Sequence, residues 1–511
     1  MLRPTILLLA LAGMFPGLAG AANARDTVRI DAGTLRGSVE GDVAVFKGIP
    51  FAAPPVGGLR WRAPQPVAHW EGARDARAFG NACLQPPRRP DEPDARVPVS
   101  EDCLYLNVWR PLHARGKLPV MVWIHGGSLV TGAASLAMYD GTRFAQRGVV
   151  LVSINYRLGH LGYFGHPALT REAADGGRLA NYGLMDQIAA LEWVRRNVAA
   201  FGGDPANVTI FGQSAGGLSV QLLMASPPAR GLFQRAIVQS GYWRGWFRRI
   251  ADRAPDGRPS AEADGVAALK AVGISTDDVA VLRGLTEAQL LAFPSLGLNG
   301  AIPTIDGRYV VEEHWRTWRE GREAPVPLMI GATSQETPPL PPDIRAQFRK
   351  VLEPFLSAAD EVSLVPVYGG QQQLDDHMSA DFGFAATLYS FAKLHRANGH
   401  PAYRYRFGRL PDAARPQLKG VPHSGELAYV FGNLEASKWK MDARDRAVSD
   451  ATMDYWVEFA RSGRPAPKGR AAWPLADDEQ VMLFDDEGAR PVKDDRAPRY
   501  RALATIVDPK S

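Results

Sequence analysis

The chain of 511 residues predicts an α/β fold, a large, mostly parallel central sheet flanked by helices with helical excursions above it. Three observations carry this. From Leu104 onward strand-like apolar runs alternate with helical segments, the mark of a parallel sheet covered by helices. Leu184, Ile188, Leu191, Val194 and Val198 recur at spacings of three and four, which gives one helix an apolar face for that sheet. The β-branched run from Val208 to Phe211 passes into Gly212-Gln213-Ser214-Ala215-Gly216 and then a helix-compatible segment, a strand, a sharp turn and a helix.

The elements follow in order. Met1-Leu2-Arg3 is a short positive region, Thr5 to Leu18 is almost wholly apolar, and Ala22-Asn23-Ala24 is a small-x-small pattern. Residues 1–24 therefore read as a secretory signal peptide cleaved after Ala24, with Ala19-Gly20-Ala21 a second option. The run is short for a bilayer span and Pro16 interrupts it, and no later segment has the apolarity of a membrane helix. Residues 25–511 are then one mature domain, secreted or periplasmic. Short β-like runs at Val28 to Ile30, Thr34 to Arg36 and Val43 to Lys47 predict hairpins, and a loop rich in proline and arginine runs from Pro54 to Asp102. Strands are expected at Leu104 to Trp109, Val120 to Ile124 and Val149 to Ile154, a helix at Leu184 to Ala200, and a strand at Val208. Further strands are expected at Ala236 to Gln239, Leu328 to Gly331, Tyr403 to Phe407 and Val481 to Phe484. Trp243 to Pro325 and Pro338 to His400 read as excursions, the second mostly helical, and Arg444 to Ala460 as a late amphipathic helix.

Composition narrows the class of function. A net charge of +5, with both signs interspersed and no long basic run, gives no case for nucleic acid. The chain has two cysteines, Cys83 and Cys103. Under export they are expected to form a disulfide, stabilising by about 3 kcal/mol, since a metal site would need more ligands nearby than this region provides.

The serine at the turn points to acyl transfer. Any Cβ at Gly212 or Gly216 would crowd the strand or helix, and the turn lifts the Ser214 hydroxyl clear of the sheet. A serine hydroxyl needs a base, and the base needs a group to hold its tautomer. With this nucleophile turn the partners follow in the order acid, then histidine. Of the late histidines, His377, His395 and His400 lie in or beside regular elements and read as packed or surface residues. His423, in the loop Gly420-Val421-Pro422-His423-Ser424-Gly425-Glu426, is the candidate base. Glu336 is the first carboxylate after the strand ending at Thr333, with Asp343 the next candidate. Charge developing on a carbonyl oxygen needs backbone donors, for which His125-Gly126-Gly127-Ser128 nominates Gly127 and Ser128, with Ala215 after the nucleophile.

These residues resemble the type B carboxylesterases, which include cholinesterases and bacterial p-nitrobenzyl-type esterases. The resemblance rests on Glu101 through Trp109 (EDCLYLNVW) and on Phe201-Gly202-Gly203-Asp204-Pro205 running on to Gly216. Also similar are Phe46-Lys47-Gly48-Ile49-Pro50, Asn155-Tyr156-Arg157-Leu158-Gly159, Asn181-Tyr182-Gly183-Leu184 and Trp473-Pro474. The resemblance spans nearly the whole mature chain. It implies an α/β-hydrolase fold, the Cys83–Cys103 pairing, the triad Ser214, Glu336 and His423, a small-molecule ester substrate, and neither cofactor nor metal.

The departures are specific. Gln213 stands where many relatives have glutamate, Ser128 replaces the third glycine of the oxyanion run, and Thr337-Pro338-Pro339 follows the acid. The loop between the cysteines lacks the tryptophan on which cholinesterases stack an ammonium, which argues against choline esters. The resulting expectation is a secreted or periplasmic serine esterase. The alternatives are the same machinery acting as a lipase, thioesterase or lactonase, or a non-catalytic binding protein. The arginines of Trp243-Arg244-Gly245-Trp246-Phe247-Arg248-Arg249 invite a preference for neutral or anionic esters over cationic ones, against the plainer reading of packed aromatics and solvated arginines.

Overall fold

Short apolar runs, such as Val120 to Ile124 and Val150 to Ile154, build the middle of a sheet in a computed structural model that describes residues 26–87, 97–113, 116–242, 247–253, 257–294, 302–477 and 479–508. In chain order the strands of this sheet are β1 (Ser38–Glu40), β2 (Val43–Pro50), β3 (Tyr105–Pro111), β4 (Leu118–Ile124), β5 (Val150–Ile154), β6 (Gly203–Gln213), β7 (Arg235–Gln239), β8 (Leu328–Thr333), β9 (Ala402–Phe407), β10 (Gln480–Asp485) and β11 (Gly488–Lys493). Their spatial order is β11-β10-β9-β8-β7-β6-β4-β5-β3-β2-β1. The pairs from β5 across to β10 are parallel. Antiparallel pairs close both edges, so the sheet is mixed with a parallel centre.

The longer helices are α1 (Tyr182–Asn197), α2 (Ala215–Ala225), α3 (Pro342–Leu352), α4 (Ala358–Tyr368), α5 (Gln371–Ala380), α6 (Ala386–Ala397), α7 (Ala443–Ser462) and α8 (Ala497–Val507), with a helix at Ala261–Ala271 in the first excursion. Parallel strands covered on both faces are apolar throughout, and β4 shows the division of labour. Val120, Val122 and Ile124 join the core that holds Leu184, Ile188, Leu191 and Val194 of α1, while Met121 and Trp123 join the core that holds Trp456 and Phe459 of α7. Asp442 caps α7 by accepting from the backbone of Arg444 and Asp445, and Gly463 ends it at φ 77°. A third cluster, including Leu352, Leu374, Tyr389 and Leu503, holds α3 to α6 and α8 together beyond the sheet.

Of these elements three escape the sequence reading: the short edge strand β1, which lies between two expected runs, and the two at the other end of the sheet. The edge strand β11 (GARPVK) has no buried residue and carries a proline, so it lacks the alternation that marks a strand. Helix α8 follows too closely on it to read as separate.

Buried charge fixes the loops. Arg157 donates to both carboxylate oxygens of Asp186 at 2.8 and 2.7 Å, and the pair is almost solvent-free. Cys83 and Cys103 form a disulfide. Beside it the Gln85 side chain clasps the backbone of Gly132, donating to its carbonyl (2.8 Å) and accepting from its N–H (2.9 Å). The loop closed by the disulfide is thereby tied to the segment after β4. No helix among the described residues is long and apolar enough to cross a membrane. The leader expected at residues 1–24 lies outside the described residues.

Candidate active site

The parallel strands deliver their chemistry at their carboxyl ends, where open α/β sheets bind ligands. β6 stops at Gln213, and Ser214 turns the chain with φ 59°, ψ −123° before α2 begins at Ala215. A non-glycine residue pays for positive φ in strain and holds it only where its surroundings demand it. The neighbouring glycines supply that demand. A Cβ at Gly216 would lie 2.0 Å from the Ile124 carbonyl oxygen, and one at Gly212 would lie 2.5 Å from Gly216 itself. The Ser214 N–H donates to Gln239 O at 2.9 Å, fastening the turn to the end of β7.

Glu336 lies past the end of β8, buried and held from two sides. Its Oε1 accepts from Ser240 Oγ and from the Thr333 N–H, both at 2.6 Å. Its Oε2 meets His423 Nδ1 at 2.5 Å, so the imidazole donates from Nδ1 to the carboxylate. His423 sits in the loop after β9 with its side chain 29% exposed. In this resting arrangement the hydrogen bond to its Nε2 comes from Gln213 Nε2, 3.2 Å away, rather than from Ser214. The amide therefore faces the lone pair that a general base would use. Burial, the largest influence, disfavours the imidazolium, but the hydrogen bond and charge of Glu336, with the charge of Glu426, outweigh it and hold the His423 pKa above its ordinary value.

The third component is the run after β4. Gly126 packs so closely on the nucleophile turn that a Cβ there would lie 2.6 Å from Gln213 O and 3.1 Å from Ser214 Cβ. Gly127 has φ 107°, followed by Ser128 at 56° and Leu129 at 60°. Three consecutive residues with positive φ reverse the chain tightly, and the Gly127 carbonyl accepts from Val130 and Thr131 N–H, both 2.9 Å. The Ser128 side chain is exposed, so its replacement of a glycine meets no packing obstacle.

The structure thus brings Glu336 and His423 together beside the Gln213-Ser214 turn, and it packs the Gly126-Gly127 run against that turn. Asp343 stands exposed in the first turn of α3. His395 is fully buried with both ring nitrogens engaged, by Glu323 and by Val326 O, and the His400 ring lies tilted against it, 5.0 Å away. Of the basic stretch after β7, residues 243–246, including Arg244, lie outside the described residues. Arg248 is buried and ion-paired with Asp264.

Sequence reasoning misses four residues here. Ser240, at φ 46°, orients Glu336. Glu426 is buried with one carboxylate oxygen on Gln239 Nε2 (3.2 Å), and burial, then the nearby Glu336 charge, push its pKa up to about 7. Phe384 lays its ring 4.9 Å from that of His423. His125 directs Nδ1 to Gly126 O at 2.8 Å and stacks on Tyr156, bracing the glycine run from beneath. Glu426, three residues after His423, and His125, at the head of the glycine run, offered a local signal. Among the described residues no group of three or more His, Cys, Asp or Glu side chains is placed to hold a metal.

Comparison with known proteins identifies the family. The profile of the Carboxylesterase family matches residues 24–354 and 370–501. Para-nitrobenzyl esterase of Bacillus subtilis (strain 168) is 35% identical over 479 residues, covering 89% of this chain and 94% of the relative. Fumonisin B1 esterase of Sphingopyxis macrogoltabida is also 35% identical, over 88% of this chain and 84% of its own. Among solved structures a PNB esterase superposes with a TM-score of 0.81 at 33% identity, over 94% of this chain and 100% of that one. A thermophilic PNB esterase gives 0.83 at 32% identity with the same coverage. With an α/β-hydrolase fold and esterases as its relatives over nearly its whole length, the chain belongs to the carboxylesterase family and is a carboxylic ester hydrolase.

Proposed function

We propose that the protein is an exported serine carboxylesterase, made with a leader at residues 1–24 and acting as one domain from residue 25. Ser214 Oγ attacks the ester carbonyl while His423 Nε2 takes its proton. For this the Gln213 amide must yield its place on Nε2 to the serine. Glu336 holds the Nδ1–H tautomer and stabilises the imidazolium. The N–H groups of Gly127, Ser128 and Ala215 receive the oxyanion. His423 then returns the proton to the departing alcohol, and water releases the acyl group by the same steps in reverse.

The observation that carries the reading is the ordered chain of hydrogen bonds from Ser240 and Thr333 through Glu336 to His423, ending beside a serine whose strained turn abuts a glycine run. Ser214→Ala tests it. The variant should keep its circular dichroism and melting temperature while kcat for p-nitrophenyl acetate falls by at least about 10⁴-fold. Retained turnover would reject the assignment.

A further inference from the structure

Glu336 and His423 reach their contact from two loops, and those loops are joined to each other. β8 and β9 pair up to their last residues, Thr333 and Phe407. The ladder runs one step beyond the sheet, where the Ser334 N–H donates to Phe407 O at 2.8 Å. The chain that leaves β9 returns to the same place at Val421. The Gln335 N–H donates to Val421 O at 3.0 Å, and the Val421 N–H donates to Ser334 Oγ at 2.9 Å. Gly420 permits the close approach: a Cβ there would lie 2.9 Å from Gln335 Cβ and 3.1 Å from Ser334 Oγ.

Glu336 lies two residues beyond Ser334, and His423 two beyond Val421. This clasp therefore fixes both ends of the contact between Glu336 Oε2 and His423 Nδ1. A third segment holds it from outside. Arg496, immediately before α8 and 162 residues from Ser334 in sequence, donates from Nη1 to Ser334 O at 2.9 Å. Its mount is firm, since its N–H donates to Asp494 Oδ1 (3.2 Å) and the buried Asp494 is ion-paired with Arg404 and Arg406 of β9 at 2.5 and 3.4 Å.

We infer that Ser334 and Arg496 are positioning residues for the proposed reaction, holding the acid loop and the base loop at the separation that keeps Glu336 on His423. The start of α8, near the end of the chain, thereby sets the competence of the pair. The inference rests on Glu336 and His423 being the acid and the base. Misplacing a reacting group by about 1 Å can cost about a hundredfold in rate, so a base carried on a loop depends on what supports the loop. The groups facing the His423 ring are Glu336, Glu426, the Gln213 amide and Phe384, which sits in the π-helical turn at Asp381–Ala385. Burial lowers the His423 pKa, and the hydrogen bond and charge of Glu336, with the charge of Glu426, raise it above its ordinary value. Slackening the clasp weakens the contribution of Glu336, so the acid limb of kcat/KM moves to lower pH.

Ser334→Ala leaves the Val421 N–H without its acceptor, and Gly420→Ala drives a methyl between the two loops. In each, kcat for p-nitrophenyl acetate per organophosphate-titrated site should fall about tenfold, the size expected for one lost buried hydrogen bond, with KM within about twofold. The acid limb should move to lower pH, and the proton resonance of the bond between Nδ1 and Glu336 should weaken or broaden. Ser334→Thr keeps the acceptor and should hold kcat within about threefold of the parent. Arg496→Met acts on Ser334 O and should move the limb in the same direction, and it decides the matter should the alanine variants not fold. Combined with Ser334→Ala it should add little, because both act on one loop. A fall in kcat with the acid limb in place would make the clasp structural only and overturn the inference, as would kcat within about twofold of the parent in every folded variant. Glu336→Gln separates the two levels. If it moves the limb while the clasp variants do not, the inference alone fails; if it too leaves the limb in place, the choice of acid fails with it.

Discussion

His423 stands between the Glu336 carboxylate on Nδ1 and the Gln213 amide on Nε2, with the buried Glu426 close by. Its pKa is raised, and only the neutral imidazole can accept a proton from serine. The acid limb of kcat/KM should therefore fall above the ordinary histidine value, and activity should be lost as pH drops through it. Gln213→Glu places a carboxylate beside the imidazolium and should move that limb to higher pH. Glu426→Gln removes a charge that favours the imidazolium and should move it lower. Profiles of the free enzyme check both, and an unmoved limb in both variants would contradict the electrostatics. Glu426 also makes stability depend on pH. Its folded pKa of about 7 lies above the ordinary 4.5, so the unfolded chain releases this proton first. Its contribution is intact below the unfolded value and falls by roughly 3 kcal/mol as pH rises to the folded one. Urea unfolding at pH 5 and pH 8 should show a smaller difference for Glu426→Gln than for the parent, and an equal difference would show that Glu426 does not titrate in this range.

At the scale of elements, the nucleophile turn and the π-turn make opposite use of glycine. Gly216 is pressed against the Ile124 carbonyl, whereas Gly383 faces empty space. Gly216→Ala should cost about 3 kcal/mol or more in stability and most of the activity, since backbone would have to move. Measured by denaturant unfolding, a loss below about 0.5 kcal/mol would mean that β4 and β6 can separate freely. The same contrast explains what was legible in the sequence. The strand, the glycines and Ser214 lie within one local pattern, and Glu336 and His423 follow from chain order and from the loops that succeed β8 and β9. The contact of Gln213 with His423, the packing of Phe384 on that ring and the support of Glu336 by Ser240 all join residues far apart in sequence, and no local pattern signals them. Central strands such as β4, β5 and β7 were legible because burial on both faces makes them almost wholly apolar. The half-exposed β11 was not, for the opposite reason.

Over the whole molecule, long-range ties hold the loops that carry the site. The Cys83–Cys103 disulfide closes a loop of 20 residues in sequence separation, for which chain entropy gives about 3 kcal/mol. Unfolding of the oxidised protein and of the Cys83→Ser/Cys103→Ser variant should differ by about that amount, and equal stabilities would show that the fold does not draw on the bond. Removing the partner of the buried Arg157 by Asp186→Ala should cost about 3–5 kcal/mol, because an unpaired guanidinium would remain. If the leader is removed as proposed, protein recovered from an exporting host should begin at Arg25, and a mature form retaining Met1 would contradict export. The account as a whole depends on one serine made reactive by the turn, the histidine and the carboxylate. An organophosphate esterase inhibitor reads this directly. Intact mass and peptide mapping should show one adduct, on Ser214, absent from Ser214→Ala and strongly slowed in His423→Ala. An adduct on another residue, or labelling of Ser214 that is as fast without His423, would contradict it.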